Sequence, residues 1–306
     1  MNMIRIYAFL ILIVGFAGCQ DTGQQDSSGR KKVVTTTGMI ADAVLNIAGD
    51  SLEVEALMGP GVDPHLYKAT QGDLKKLSDS DLVFYNGLLL EGKMGEVLEK
   101  LARIKPVVAV GSSINSSLLL ASPLYEDAFD PHVWFDVSLW KQVVQKTSQS
   151  LQEFDPSNAD YYQQNTLRYL GQLDSLHQQV QQQIALIPRE QRVLITAHDA
   201  FEYFGRAYNI EVRGLQGIST VSEFGLKDIT DLVQFIIDRK IKAVFVETSI
   251  SERSIKAVVE GCRQKGHEVR IGGSLYSDAM GASGTPEGTY IGMVNANVIT
   301  ITQALI

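Results

Sequence analysis

The sequence predicts an α/β fold in which two parallel-sheet lobes flank one long rigid helix, and three observations carry that prediction. From residue 33 onward, short β-rich runs alternate with helical runs, the pattern of parallel βαβ units. Residues 157–187 interrupt the alternation with a proline-free, glutamine-rich stretch, and after Pro188 the alternation resumes. Finally, Asp-Pro-His occurs twice in a chain with five histidines, as VDPHLY at 62–67 and FDPHVW at 129–134.

At the N-terminus, MNMIRIY carries one cation, Arg5, ahead of the apolar run AFLILIVGFAG, which has the length of a signal peptide and is short for a membrane span. Residues 1–18 are therefore excluded from the fold. The small residues of FAGC precede Cys19 in the manner of a lipoprotein cleavage box, which makes Cys19 the expected lipid attachment site. Residues 19–32 have no apolar periodicity and are expected to form a flexible lipid tether. This predicts an exported chain, periplasmic or on the cell surface, anchored through Cys19. The other cysteine, Cys262 in AVVEGCRQKG, reads as a small buried residue of a helix.

Residues 33–155 read as the N-terminal lobe. VVTTT leads through Gly38 into the helical MIADAVLNIAG, LEVEALM runs into a Gly/Pro loop, and DLVFYNG follows the helix QGDLKKLSDS. PVVAV ends at Gly111, residues 112–131 read as loop, and SLWKQVVQKTSQSLQEF is a helix stopped by Asp155-Pro156. Residues 156–187 form the expected linker helix, a rod of about 45 Å, with Leu167, Leu170, Leu173 and Leu176 as its apolar stripe and the rest solvated. RVLITA, EVRGL, KAVFVE and HEVRIGG supply the strands of a C-terminal lobe over 188–306.

Composition removes several function classes. A net charge of −8, with a basic cluster at Arg30-Lys31-Lys32 in the tether, gives no electrostatic support for a nucleic-acid partner. No Gly-x-Gly-x-x-Gly or phosphate-loop lysine motif follows a strand, so nucleotide binding has no support either.

The histidines suggest a metal. In Asp-Pro-His the proline fixes φ just ahead of the histidine and biases the aspartate toward an extended conformation, so the imidazole stands on a stiff turn. His65 follows the second strand, His132 lies ahead of the last helix of the first lobe, and His198 ends the apolar run VLITAH. Asp278, in IGGSLYSDAMG, follows the last strand. Open α/β sheets bind ligands beyond the carboxyl ends of their strands, where these four can converge. Three imidazoles and a carboxylate suit a borderline divalent transition ion. His177 and His267 read as structural, and the adjacent His198-Asp199 lacks the all-helical scaffold on which such pairs serve phosphohydrolases. Glu223 and Glu247 read either as groups that orient the ligands or as surface residues, with the surface reading preferred.

The motifs GVDPHLYKAT, DPHVWFD, RVLITAHDAFEYFGRAYNIEVRGLQGIST and IGGSLYSDAMGASGTPEGTYIGM, together with the glutamine-rich linker, resemble the substrate-binding lipoproteins of bacterial manganese/zinc ABC importers, of the TroA type. The resemblance spans nearly all of 33–306. It implies a metal held in the cleft between the lobes by His65, His132, His198 and Asp278, and delivery to an ABC permease with its ATPase. Two departures bear on the metal. The His/Asp-rich loop of many zinc-specific members is absent before His132, and His198 stands where manganese-specific members generally have glutamate. A third imidazole softens the site and favours Zn2+, with Mn2+ as the alternative. One site between two lobes of one chain requires no second copy, so a monomer is expected. A zinc-dependent hydrolase and an adhesion lipoprotein are the rival readings; four protein ligands close the shell that a hydrolase leaves open.

Overall fold

In the computed structural model, residues 29–122, 127–222 and 224–306 are described, and Lys31–Ile306 form one compact unit. The expected signal peptide, Cys19, most of the tether and Glu223 lie outside the described residues. Among the described residues no helix is long and apolar enough to cross a membrane.

The first half of the chain builds a four-stranded parallel sheet in the order β2-β1-β3-β4 from β1 (Lys32–Thr35), β2 (Glu53–Ala56), β3 (Leu82–Tyr85) and β4 (Val107–Ala109). Side chains alternate between its faces, as a strand's period of two requires. Val33, Leu82 and Phe84 face one core with α1 (Gly38–Ala48), while Val34 and Val83 face another with Leu77 of α2 (Gln71–Asp79) and Leu98 and Leu101 of α3 (Gly95–Leu101). α2 begins where Thr70 and Asp73 cap each other's backbone N–H groups in a capping box. The stretch read as loop before residue 131 includes two short 3-10 turns, Gly111–Ser113 and Ser116–Leu118. Asp136 then caps α4 (Val137–Phe154) by accepting the Ser138 N–H.

A 3-10 turn over Pro156–Asn158 precedes α5 (Ala159–Ala185), so the helix expected over 156–187 has 27 residues, about 40 Å, and starts three residues later than expected. Its buried stripe also differs from the four leucines. Leu167 is 61% exposed, whereas Tyr162, Thr166, Tyr169, Leu173, Leu176, Val180 and Ile184 are buried. The reason is geometric: a strict three-residue spacing drifts around a helix of 3.6 residues per turn, and the observed alternation of threes and fours does not. The stripe packs on α1 and α4 of the first half and on α9 of the second. Tyr169 donates its O–H to Asp42 and Asn165 donates to the Ile47 carbonyl, which fixes α5 to α1.

In the second half, β5 (Val193–His198) pairs in parallel with β6 (Glu211–Gln216), and β7 (Ala243–Glu247) with β8 (Arg270–Leu275); β5 packs alongside β7. α6 (Glu202–Tyr208) links β5 to β6. Val193, Ile195, Val244 and Val246 face a core with α7 (Leu226–Asp238) and α8 (Arg253–Gln264), where Cys262 is buried. Leu194 and Phe245 face the opposite side, toward α9 (Tyr290–Leu305). That side is continuous with the core around α1, α4 and α5, so one apolar cluster spans both halves.

Candidate metal centre

Each Asp-Pro-His turn is set by its aspartate as well as its proline. Asp63 Oδ1 accepts the His65 backbone N–H at 2.9 Å, and Asp130 Oδ1 accepts that of His132 at the same distance. These are Asx-turns, in which a side chain two residues back replaces a backbone acceptor. The repeated motif is thus a device that holds an imidazole on a preset backbone. Behind the second turn, Asn86 donates to the Pro131 carbonyl. Buried Glu91 in turn accepts the Asn86 and Gly87 N–H groups and the Thr36 hydroxyl. Gly87, Leu88 and Leu89 run consecutively at φ of 76°, 54° and 67°, and two of these three are residues for which the left-handed region is strained. Glu91 secures the start of that run.

His198 ends β5 and Asp278 follows β8. Gly214 of β6 lies so close to the end of β5 that a Cβ there would stand 2.5 Å from the Asp199 nitrogen, and Asp199 Oδ1 accepts the Gly214 N–H. Asp199 thereby shapes the strand end and stays outside the ligand cluster.

The structure brings His65, His132, His198 and Asp278 together, all buried, with one potential ligand atom of each within 4.8 Å of the others. Nε2 of His65 is 3.3 Å from Nε2 of His132. Asp278 presents a different oxygen to each of two rings: Oδ1 is 3.4 Å from His132 Nε2 and Oδ2 is 3.3 Å from His198 Nε2, with His65 Nε2 at 3.9 Å. Ligand atoms bound at 2.0–2.1 Å to a tetrahedral ion stand about 3.3–3.4 Å apart, so most of these separations are those of one coordination shell. Both Asp278 oxygens and His198 Nε2 are buried without a hydrogen-bond partner. Such atoms are costly unless something else satisfies them, and a cation would.

Carboxylates orient two of the rings from behind. His132 Nδ1 lies 2.7 Å from Asp130 Oδ1, and His198 Nδ1 lies 2.7 Å from Glu247 Oε2, while Glu247 Oε1 accepts the His198 backbone N–H. At His132 the hydrogen bond to Asp130 places the proton on Nδ1 and aims the Nε2 lone pair at the centre, while at His198 the Glu247 carboxylate faces Nδ1 as a charge and holds the ring through the backbone N–H. Glu247 is 3% exposed and ends β7 beside His198, so the surface reading of this residue is corrected. In sequence KAVFVE shows only an apolar strand ending in a carboxylate; that its end lies against that of VLITAH appears only in the fold. His177 instead pairs with the Tyr208 hydroxyl and His267 with the Ile241 carbonyl, away from the cluster.

The charges of the metal-free site are unequal. Burial pushes His65 down to about 3, with Asp278 opposing it. Burial also favours neutral His132, but Asp130 and Asp278 outweigh it and raise that ring to about 9. For His198, Glu247 and Asp278 overcome burial and raise it well above its ordinary value. Burial would raise Asp278, yet His198 and His132 hold it well below the usual carboxylate range.

Residues 33–304 match the family described as zinc-uptake complex component A, periplasmic. The chain is 49% identical over 300 residues to the manganese-binding lipoprotein MntA of Bacillus subtilis, covering 97% of each chain. It is also 49% identical over 294 residues to the zinc-binding protein TroA of Treponema pallidum, covering 96% of this chain and 95% of that one. The solved structure of the periplasmic zinc-binding protein TroA from Treponema pallidum superposes with a TM-score of 0.88 at 51% identity, over 90% of this chain and 99% of that one.

Proposed function

Because this chain belongs to the family of periplasmic A components of zinc-uptake complexes, we propose that it captures one divalent transition-metal ion and hands it to the permease of an ABC importer. The ion is the protein's cargo, held by Nε2 of His65, His132 and His198 and by the Asp278 carboxylate. The observation that carries this reading is the convergence of four buried ligand atoms, from two Asp-Pro-His turns of the first half and from the ends of β5 and β8 in the second, around unpartnered polar atoms. Four protein ligands suit retention, since a catalytic zinc keeps a position open for water. Asp130 and Glu247 orient their imidazoles, and residues 33–155 and 188–306 act as lobes joined by the 156–187 linker.

Zinc is the first choice of cargo, since three imidazoles make a softer donor set than two imidazoles and two carboxylates would. Manganese is the second: the free second oxygen of Asp278 can complete a five-coordinate shell, and the relatives named for zinc and for manganese are equally similar to this chain. The protein works as an exported monomer tethered through Cys19, receiving its ion outside the cytoplasmic membrane and passing it to a permease driven by an ATPase.

Elemental analysis of protein purified without chelator, followed by competitive titration of the stripped protein with Zn2+ and Mn2+, tests the assignment. One equivalent of metal with zinc bound far more tightly supports a zinc carrier, and comparable retention of both supports a carrier of broad specificity. No metal, and none taken up after stripping and refolding, refutes the function.

A further inference from the structure

The two Asp-Pro-His turns are fastened to the second half of the chain in different ways. Around the His132 turn the fastenings are buried. Trp134 Nε1–H donates to the Ser277 carbonyl at 3.0 Å, Tyr203 O–H to the Asp130 carbonyl at 2.9 Å, and Tyr290 O–H to the Trp134 carbonyl at 2.7 Å. Among the described residues, the His65 turn is tied to the second half by one side-chain hydrogen bond, from Thr220 Oγ1 to Asp63 Oδ2 at 2.6 Å, and that bond is only part-buried.

Beside this bond opens a cavity of about 280 Å³, whose walls include Leu88, Leu89 and Pro131 from the first half and Ile218 and Val221 from the second. His65 is the one candidate ligand in its lining. The bond also joins the ligand-bearing His65 turn to the loop after β6, the strand that pairs with the end of β5 at His198. Asp63 holds the backbone of His65 through its other oxygen, while the Gln216 amide donates to the carbonyls of Thr220 and Ser222. Gln216 is the register partner of His198 in the β5–β6 ladder. Segment 217–222 therefore runs from β6, the strand paired with the one that ends in His198, to the turn that carries His65.

We propose that the Thr220–Asp63 hydrogen bond is the bolt of the cleft, holding its His65 side shut over the bound ion and setting how fast the ion leaves. This rests on the proposed function. Thr220 is not one of the four candidate ligands, so its loss alters the rate of opening and leaves the coordination shell as it was. A hydrogen bond to a carboxylate is among the stronger kinds, and its removal should speed release by about tenfold.

The test uses the full chain loaded with Zn2+ and mixed with excess EDTA in a stopped-flow instrument, comparing wild type, Thr220→Val and Thr220→Ser, with the Co2+ absorption spectrum of each as a reading of ligand geometry. Thr220→Val should release zinc about tenfold faster with an unchanged Co2+ spectrum, and Thr220→Ser, which restores the hydroxyl, should stay within about twofold of wild type. Release from Thr220→Val at the wild-type rate overturns the bolt while leaving metal capture standing. An altered Co2+ spectrum also overturns it, since Thr220 would then act through the ligands. A wild-type chain that binds neither Zn2+ nor Mn2+ overturns the proposed function and the bolt with it.

Discussion

Lowering the pH from 8 to 6 should weaken zinc binding by at least about a hundredfold, because the empty site holds protons where the ion must bind. His132 is raised to about 9 by Asp130 and Asp278 against the effect of burial, so it is protonated throughout this range in the metal-free protein. Its Nδ1 faces Asp130, and the proton that must leave is the one on Nε2. A group titrating at about 9 imposes a tenfold penalty per pH unit below that value, about 2.7 kcal/mol between pH 8 and 6. His198 is raised in the same direction and steepens the slope, whereas His65, pushed down to about 3, stays neutral and adds nothing. The sign is set by which form is charged: raised pKa values in the empty site make affinity climb with pH until about 9, and depressed ones would flatten it. Titration calorimetry in two buffers of different ionisation enthalpy counts the protons released, and chelator competition at pH 6, 7 and 8 gives the slope. Between one and two protons should be released per ion at pH 7. A flat affinity from pH 6 to 8 with no proton release would refute the reasoning.

Glu247→Gln keeps an acceptor for the His198 backbone N–H and removes the charge facing Nδ1, so zinc affinity should fall by about 10- to 100-fold in chelator competition, with little change in the melting temperature of the empty protein. Glu91→Ala strands the Thr36 hydroxyl and the Asn86 and Gly87 N–H groups, at about 1–3 kcal/mol for each that stays dry, and denaturant titration should show the loss. Leu173→Ala, in the fully buried stripe of α5, should cost about 2–5 kcal/mol by the same titration.

The alternation of β-rich and helical runs made the parallel sheets legible, since β3, β5 and β7 are apolar runs between helical segments and β1 leads directly into α1. The four residues that converge were legible because a proline-fixed turn and a strand end both announce themselves in sequence. What stayed hidden depends on distance between segments. Glu247 was read as a surface residue because nothing in KAVFVE says that its strand ends against His198, 49 positions away. The aspartates of the two turns stand out as part of a motif, but their role as acceptors for the N–H two residues ahead belongs to the folded geometry. The stripe of α5 was misread for a different reason: leucines attract the eye, while the helix buries Tyr162, Thr166 and Tyr169 because phase, not residue type, selects the inner face.

The position of α5 bears on how such a site can open. A helix with one buried stripe running along both halves resists a wide swing, because any large rotation would strip that stripe from α1 and α4 or from α9. The aromatic fastenings on the His132 side act in the same sense. Trp134, Tyr203 and Tyr290 are each at most 1% exposed, and uncovering side chains of that size costs about 1.5–3 kcal/mol apiece before their hydrogen bonds are counted. The His65 side carries a part-buried hydroxyl–carboxylate bond and a cavity at its edge. The least costly motion is therefore expected to pivot on the His132 side and part the His65 side, a small tilt in which, on the proposed ligand assignment, the ion should lose one imidazole first. Three ligands remain at that stage, two of them braced from behind by Asp130 and Glu247. Opening by this route weakens the hold on the ion without exposing the shared apolar core.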